Sequence, residues 1–222
     1  DMPTGLVGSE MCIRDSFNPD AELRSGVIES LVGFLGDNPA AAGAVPLLED
    51  PGGRSQHRWQ LRRLPGLRQL ASGRPGPPAF GPNPPTQPTP VPQPAASMWL
   101  VRRSVWQALG GFDSEFAPAW WEDVDFCARL GLRIADESFP AREGFFVVPA
   151  SRVAHAGGSS LAELSDAEFL TIYHRNLLRY ATRHHADRVA AIRAGLGFTL
   201  RLRALARPSR RRAYLAALRA LQ

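Results

Sequence analysis

The sequence contains no lysine, so all 26 of its basic residues are arginines. It has only two cysteines, Cys12 and Cys127, which lie far apart in unlike surroundings. This spacing excludes a disulfide framework and favours a reducing, cytoplasmic setting. No apolar run reaches the roughly 18 residues of a membrane-spanning helix, and no signal-peptide pattern is visible.

Positive charge is concentrated in the last quarter of the chain. From Leu170 onward there are twelve arginines and a single acidic residue, Asp187, so the remainder of the sequence is net acidic. At 222 residues and 44% hydrophobic residues, the chain can form one domain with a proper core and an appendage. We therefore expect an acidic catalytic body and a basic tail that faces an anionic partner.

An acidic cluster flanked by tryptophans is the most informative motif. Trp120 and Trp121 directly precede Glu122, Asp123 and Asp125. Carboxylates this close repel one another, so a crowded one gains a raised pKa and can serve as a general base. Tryptophan faces stack on sugar rings, although core packing is an equal alternative for Trp121. On a helix Glu122 and Asp125 share a face, and a surface ion pair with Arg129 is the simpler explanation of Asp125.

Two further candidate sites lie far from this cluster. Asn18 and Asp20 follow a predicted strand end at Phe17, where oxygen ligands can hold Mg²⁺ or Mn²⁺, although an ordinary turn explains them too. His155 follows a short extended segment and precedes a glycine pair. A lone histidine is more often structural than a ligand, and only this context favours a functional role.

Strand-like and helical segments alternate along the chain, which predicts an α/β layered domain. The predicted strands cover 42–48, 98–101, 145–148 (ended by Pro149) and 153–155. The predicted helices begin at a Ser25 cap and at 104, 122 and about 166, and two arginine-rich helices follow.

Three segments differ from this pattern. Residues 1–16 resemble translated sequencing adaptor, with a genuine disordered leader as the alternative. Residues 75–95 hold half of the chain's twenty prolines and predict a flexible loop or lid hinge, or else a ligand for a partner module. Residues 186–222 form the arginine-rich tail. It resembles an amphipathic helix on anionic lipid, and the alternative is a solvated helix that covers the domain.

Four segments, in this order, resemble the family 2 glycosyltransferases of the rhamnosyltransferase type: 17–23, 100–112, 121–130 and 153–159. The combination of 109–113 with 121–129 is highly specific for that family. The resemblance extends over residues 17–185 and implies a partial GT-A fold, a mostly parallel sheet flanked by helices. The sequence departs from the family pattern in two places. The residues that hold the nucleotide base should precede Phe17 and are missing, and the segment 132–144, at the rim of the acceptor site, is irregular.

The resemblance implies an inverting sugar transfer in cell-surface polysaccharide synthesis. Asp123 is then the catalytic base beside Glu122, and Trp120, Trp121 and Asp125 face a glycan or lipid-linked acceptor. Asn18, Asp20 and His155 bind the diphosphate of a nucleotide-sugar donor, and Asp20 and His155 hold the divalent metal, Mg²⁺ or Mn²⁺.

Three rival functions remain open at this point. One is a metal-dependent hydrolase using Glu122, Asp123, Asp125 and His155. Another is a fragment that is inactive because half of its donor site is missing. A nucleic-acid-binding protein is disfavoured, because the basic tail has only two aromatic residues for base stacking. The predicted location is the cytoplasm, with peripheral contact at the inner face of the plasma membrane.

Overall fold

A six-stranded mixed sheet lies at the centre of the fold. The structure, a computed structural model, describes residues 13–17, 21–156 and 164–221. The strands of this sheet are β1 (Ile13–Phe17), β2 (Ala21–Glu22), β3 (Ala41–Glu49), β5 (Thr89–Val91), β7 (Met98–Arg102) and β8 (Glu143–His155). Two further short strands, β4 (Leu61–Arg62) and β6 (Gln93–Pro94), form a separate two-stranded sheet.

Eight α-helices accompany these strands in the described part of the chain. They are α1 (Val27–Asp37), α2 (His57–Gln60), α3 (Leu67–Ala71), α4 (Arg103–Leu109), α5 (Glu122–Arg133), α6 (Asp166–His184), α7 (Val189–Ala206) and α8 (Arg211–Arg219). None of the helices described is both long and apolar enough to cross a bilayer.

The strand order is β1-β7-β3-β8-β2, with β5 also paired to β8. The longest pairing, between β3 and β8, is parallel, and the other four are antiparallel. The predicted α/β class, with helices flanking a sheet, is thus confirmed. The predicted predominance of parallel strands holds only for the central pair.

Strand β3 is buried along its whole length because helices cover both faces of the sheet. On one face, Ala44 and Leu48 pack with Leu31 and Leu35 of α1. On the other face, Ala42, Val45 and Leu47 pack with residues of α4 and α5. The apolar run at 42–48 therefore predicted this strand correctly.

Two predicted boundaries are wrong. Helix α1 is capped by Gly26 in a left-handed conformation (φ 82°) and not by Ser25. Strand β8 continues through Pro149, which was expected to end a shorter strand. The register between β3 and β8 shifts after Pro46, whose partner is Val148, so no ladder hydrogen bond is required of Pro149.

The proline-rich segment is not wholly irregular. It contains β5, which pairs with β8, and β6, which pairs with β4. Val91 and Gln93 are buried, so the end of this segment is attached to the body of the protein. Its prolines fit because these strands are short and lie at sheet edges.

The arginine-rich tail is part of the core. Leu196 and Leu200 of α7 and Tyr214 of α8 are buried in one cluster with Leu177 and Tyr180 of α6. The two arginine-rich helices predicted at the end of the chain are therefore present, at 189–206 and 211–219, and their inner faces cover the domain. The lipid interpretation of the tail places six apolar residues at the membrane: Leu200, Leu202, Leu205, Tyr214, Leu215 and Leu218. Of these, Leu200 and Tyr214 lie inside the buried cluster.

Candidate active site

A cavity of about 900 Å³ lies beside the N-terminus of α5. Its walls come from α2, the β4–β6 sheet, residues 119–124, the end of β8 and the start of α6. Glu122, Asp123, His155, Trp120 and Trp121 all line it. The fold thus brings His155 to four consecutive predicted site residues that lie more than thirty positions before it in the sequence.

The two tryptophans have an unusual backbone. Trp120 and Trp121 have φ values of 67° and 78°, in the left-handed region that bulky residues avoid. Trp121 is the N-cap of α5, so this turn determines how Glu122 and Asp123 enter the helix. Strained backbone of this kind concentrates at functional sites when the surrounding structure enforces it.

Helix α6 enforces that turn through Asn176, which is fully buried. The Nδ2 atom of Asn176 donates hydrogen bonds to the carbonyl oxygens of Phe116, Ala119 and Trp120, at 2.6, 2.8 and 3.2 Å. Arg175 donates a further hydrogen bond to the carbonyl of Ala117, at 2.7 Å. The segment before α5 is therefore held from one side by polar groups of α6.

Asp123 is half-buried at the start of α5 and accepts hydrogen bonds on both carboxylate oxygens. The backbone N–H of Val124 donates to Oδ1 at 2.7 Å, and Gln93 Nε2 and the N–H of Ala96 donate to Oδ2 at 3.2 and 3.3 Å. Burial raises the pKa of Asp123, whereas these donors favour the ionised form. A carboxylate held this way presents a fixed base to the cavity.

The surroundings of Glu122 favour its neutral form. Burial, helped by the neighbouring charge of Asp123, raises the pKa of Glu122 to about 8. Its Oε2 atom accepts no hydrogen bond from the described residues. We assign the negative charge of the pair to Asp123, because its carboxylate has the donors, and the proton to Glu122.

Asp125 does not line the cavity, contrary to the predicted role in acceptor binding. It is fully buried, and its carboxylate is bonded to Arg129 at 2.7 Å, Arg183 at 3.1 Å and His184 at 2.8 Å. Burial alone would raise the pKa of Asp125, but hydrogen bonds from His184 and Arg129 hold it below its usual range. The ion pair with Arg129 is present as predicted, but Asp125 is buried and not on the surface.

Helical spacing predicted that Glu122 and Asp125 share a face, but only Glu122 reaches the cavity. The cavity lies at the N-terminal end of α5 and not along its side, so the consecutive residues Glu122 and Asp123 both reach it. Asp125, further along, points towards α6.

His155 is the last residue of β8 and is buried at the cavity wall. Gln56 Nε2 donates to the carbonyl of His155 at 2.9 Å, so its Oε1 faces His155 Nδ1 at 3.0 Å. An amide oxygen only accepts, which places a proton on Nδ1. Trp59 stacks on this ring, with centroids 5.4 Å apart.

The structure describes only part of the predicted donor-binding site. Ala21 pairs with His155 across β2 and β8, but Asn18 and Asp20 lie outside the described residues. The glycine pair after His155 lies outside them as well. In the part of the chain that is described, no group of three or more His, Cys, Asp or Glu side chains is placed to hold a metal.

Several cavity residues gave no signal in the sequence. Gln56, Trp59 and Arg62 come from a stretch without clear periodicity, and Gln93 lies in the proline-rich segment. Arg62 donates to the carbonyls of Trp59 at 2.6 Å and Gly76 at 2.9 Å. Only their position in the fold, at the wall of the cavity, identifies these residues.

The site as a whole combines an acidic pair, a histidine whose ring is held by Gln56 and aromatic walls. Such a concave, mostly apolar site with a few convergent polar groups suits a small-molecule ligand. Comparison of the sequence with protein-family models and with curated proteins finds no match. The function is therefore inferred from the geometry of the cavity.

Proposed function

We propose that the chain is a family 2 type glycosyltransferase that moves a sugar from a nucleotide-diphosphate donor to a hydroxyl group, with inversion. The main support is the meeting of Asp123, Glu122 and His155 in one cavity with aromatic walls. These are the residues for which the sequence resemblance implied a catalytic or diphosphate-binding role. The acceptor is a glycan or a lipid-linked sugar on the cytoplasmic side of the membrane.

In this mechanism Asp123 takes the proton of the attacking acceptor hydroxyl. Gln93 and the N–H of Ala96 hold its carboxylate towards the cavity, so little reorientation is needed. Glu122 stays protonated at neutral pH and leaves Asp123 as the single charge of the pair. Proton transfer of this kind contributes roughly 10²- to 10⁴-fold to the rate.

His155 faces the leaving diphosphate in this proposal. Gln56 fixes its ring, and Arg62 and Arg58 bring positive charge to the same cavity. A divalent metal, Mg²⁺ or Mn²⁺, would balance the charge of the diphosphate when bound, with Asp20 and His155 as its proposed ligands.

The aromatic walls suit a sugar. Trp120 is half-buried and packs edge-to-face on Phe169, with centroids 4.7 Å apart, so its indole lines the cavity from a supported position. Trp59 is 46% exposed and offers a second flat face. Trp121 is only 3% exposed and packs against Tyr180, so its main role is in the core.

The hydrolase alternative is weakened by the position of one residue. It required Asp125 beside Glu122, Asp123 and His155, but Asp125 is buried in an ion-pair network outside the cavity.

The proposal is tested by Asp123→Asn. A panel of nucleoside-diphosphate sugars is screened for binding by thermal shift with Mn²⁺, and the release of nucleoside diphosphate is then measured with the donors that bind. We expect Asp123→Asn to lower turnover at least about a hundredfold and to leave donor binding intact.

The matched control is Asp187→Asn, whose carboxylate is 75% exposed between α6 and α7 and does not line the cavity. It should behave as the unmodified chain. Undiminished turnover in Asp123→Asn, or the absence of binding by every donor in the panel, would contradict the proposal.

A further inference from the structure

Helix α7 is apolar on two opposite faces. Its inner face, with Ile192, Leu196 and Leu200, is buried against the rest of the domain. Its outer face contains Phe198, Leu202 and Leu205, which are 62, 49 and 72% exposed. Exposed apolar side chains that cluster on one face of a helix mark a contact surface, so this outer face is suited to a partner.

The exposed residues form one continuous stripe. Phe198, Leu202 and Leu205 are spaced by four and three residues, which places them on the same side of the helix. Ala191 and Ala194 are also exposed and continue the stripe towards the start of α7. The stripe is about 20 Å long at the rise of an α-helix.

The exposed charges of α7 and of the segment that follows it are of one sign. Arg201 is exposed within α7, Arg207 directly follows it, and Arg211 and Arg212 are exposed at the start of α8. No acidic residue occurs in the sequence after Asp187. The complementary surface is therefore anionic as well as apolar.

We infer that the outer face of α7 docks on the surface of an anionic lipid bilayer. Phe198, Leu202 and Leu205 enter the boundary between headgroups and acyl chains, while the arginines contact lipid phosphates. The helix lies in the plane of the membrane and stays attached to the domain through its buried inner face. A nucleic acid would not match the two leucines, which offer no stacking faces.

This surface is narrower than the amphipathic tail expected from the sequence. Leu202 and Leu205 belong to both, whereas Leu200 and Tyr214 lie in the core and Phe198 is added by the structure. The inference does not depend on the proposed transferase activity.

The test is flotation of the full 222-residue chain with vesicles of phosphatidylcholine alone and of phosphatidylcholine with phosphatidylglycerol. We expect binding to the anionic vesicles only, weakened by salt. Phe198→Ser and Leu205→Ser should each lower the partition coefficient by about tenfold. The matched control is Leu132→Ser, because Leu132 is 73% exposed on α5 and should not affect binding.

Circular dichroism of each variant establishes that the fold is retained. The inference is overturned if the chain does not float with anionic vesicles at low salt, or if Leu132→Ser weakens binding as much as Phe198→Ser. It is also overturned if sedimentation shows a dimer that Phe198→Ser dissociates and no vesicle binding occurs, because a second copy then covers the stripe.

Discussion

At the residue scale, two neighbouring carboxyls have opposite surroundings. Asp123 receives hydrogen bonds from Val124, Gln93 and Ala96, whereas Glu122 is desolvated and one of its oxygens lacks a donor among the described residues. Adjacent acids with different environments divide into a proton acceptor and a neutral partner. The sequence shows that the two acids are neighbours, and only the fold supplies the donors that distinguish them.

The raised pKa of Glu122 makes stability depend on pH. Its ordinary value is 4.5, and burial raises it to about 8. Between these values the folded chain holds a proton that the unfolded chain has lost, so the free energy of unfolding falls as pH rises through this window. Glu122→Gln should remove that slope and stabilise the chain at about pH 8, relative to about pH 5, by about 3–4 kcal/mol.

Urea denaturation at a series of pH values measures this effect. Glu137→Gln is the matched control, because Glu137 is exposed and should leave the slope unchanged. If Glu122→Gln retains the full slope, the proton is held elsewhere.

At the scale of elements, α6 shapes the site without lining most of it. Asn176 holds the strained turn of Trp120 and Trp121 from a position more than fifty residues away in the sequence. The helix itself was predictable, since Ser165 and Glu168 form a capping box at its start. The contact between its side chains and the turn was not, because helical periodicity contains no information about a remote loop.

Removing the donor of Asn176 should release this turn. Asn176→Leu keeps the volume but leaves three carbonyls without their partner, and we expect a loss of about 2–3 kcal/mol of stability. The near-UV circular dichroism of the tryptophans should change, and binding of the donors found by thermal shift should weaken.

Thr182→Val on the same helix is the control, because its hydroxyl bonds only to the carbonyl of Leu178. A fall in stability with unchanged tryptophan signals and ligand binding would mean that Asn176 stabilises the core without positioning the turn.

At the scale of the whole molecule, the basic tail and the body share one hydrophobic cluster. Residues of α7 and α8 pack on α6, so the charge asymmetry of the sequence does not correspond to a detached appendage. The arginines lie outside this cluster, and several bond to the body, as Arg203 does to the carbonyl of Ser72 at 2.9 Å. Charge and core are thus arranged on different faces of the same helices.

This packing predicts unequal effects for two neighbouring leucines of α7. Leu200 is fully buried, and Leu200→Ala should cost about 2–5 kcal/mol of stability through the cavity it leaves. Leu202 is 49% exposed, and Leu202→Ala should change stability by no more than about 0.5 kcal/mol. Thermal and urea unfolding of both variants measure the difference. Equal effects would contradict the assignment of the inner and outer faces.

The sequence by itself determined most of the elements. Apolar runs and helical periods depend on neighbouring residues, so the strand at 41–49, the helix at 166–184 and the two arginine-rich helices were predictable. Local sequence also singled out Glu122, Asp123 and Trp120 as candidate site residues, because their proximity in the chain is itself the signal, and all three line the cavity.

Only the tertiary structure decided which residues meet. It joined His155 and Gln56 to the acidic pair, removed Asp125 from the site, and turned one face of α7 inward and the other outward. The physical reason is that burial and hydrogen-bond partners depend on contacts between segments remote in the chain. The local pattern of apolar and polar residues does not predict those contacts.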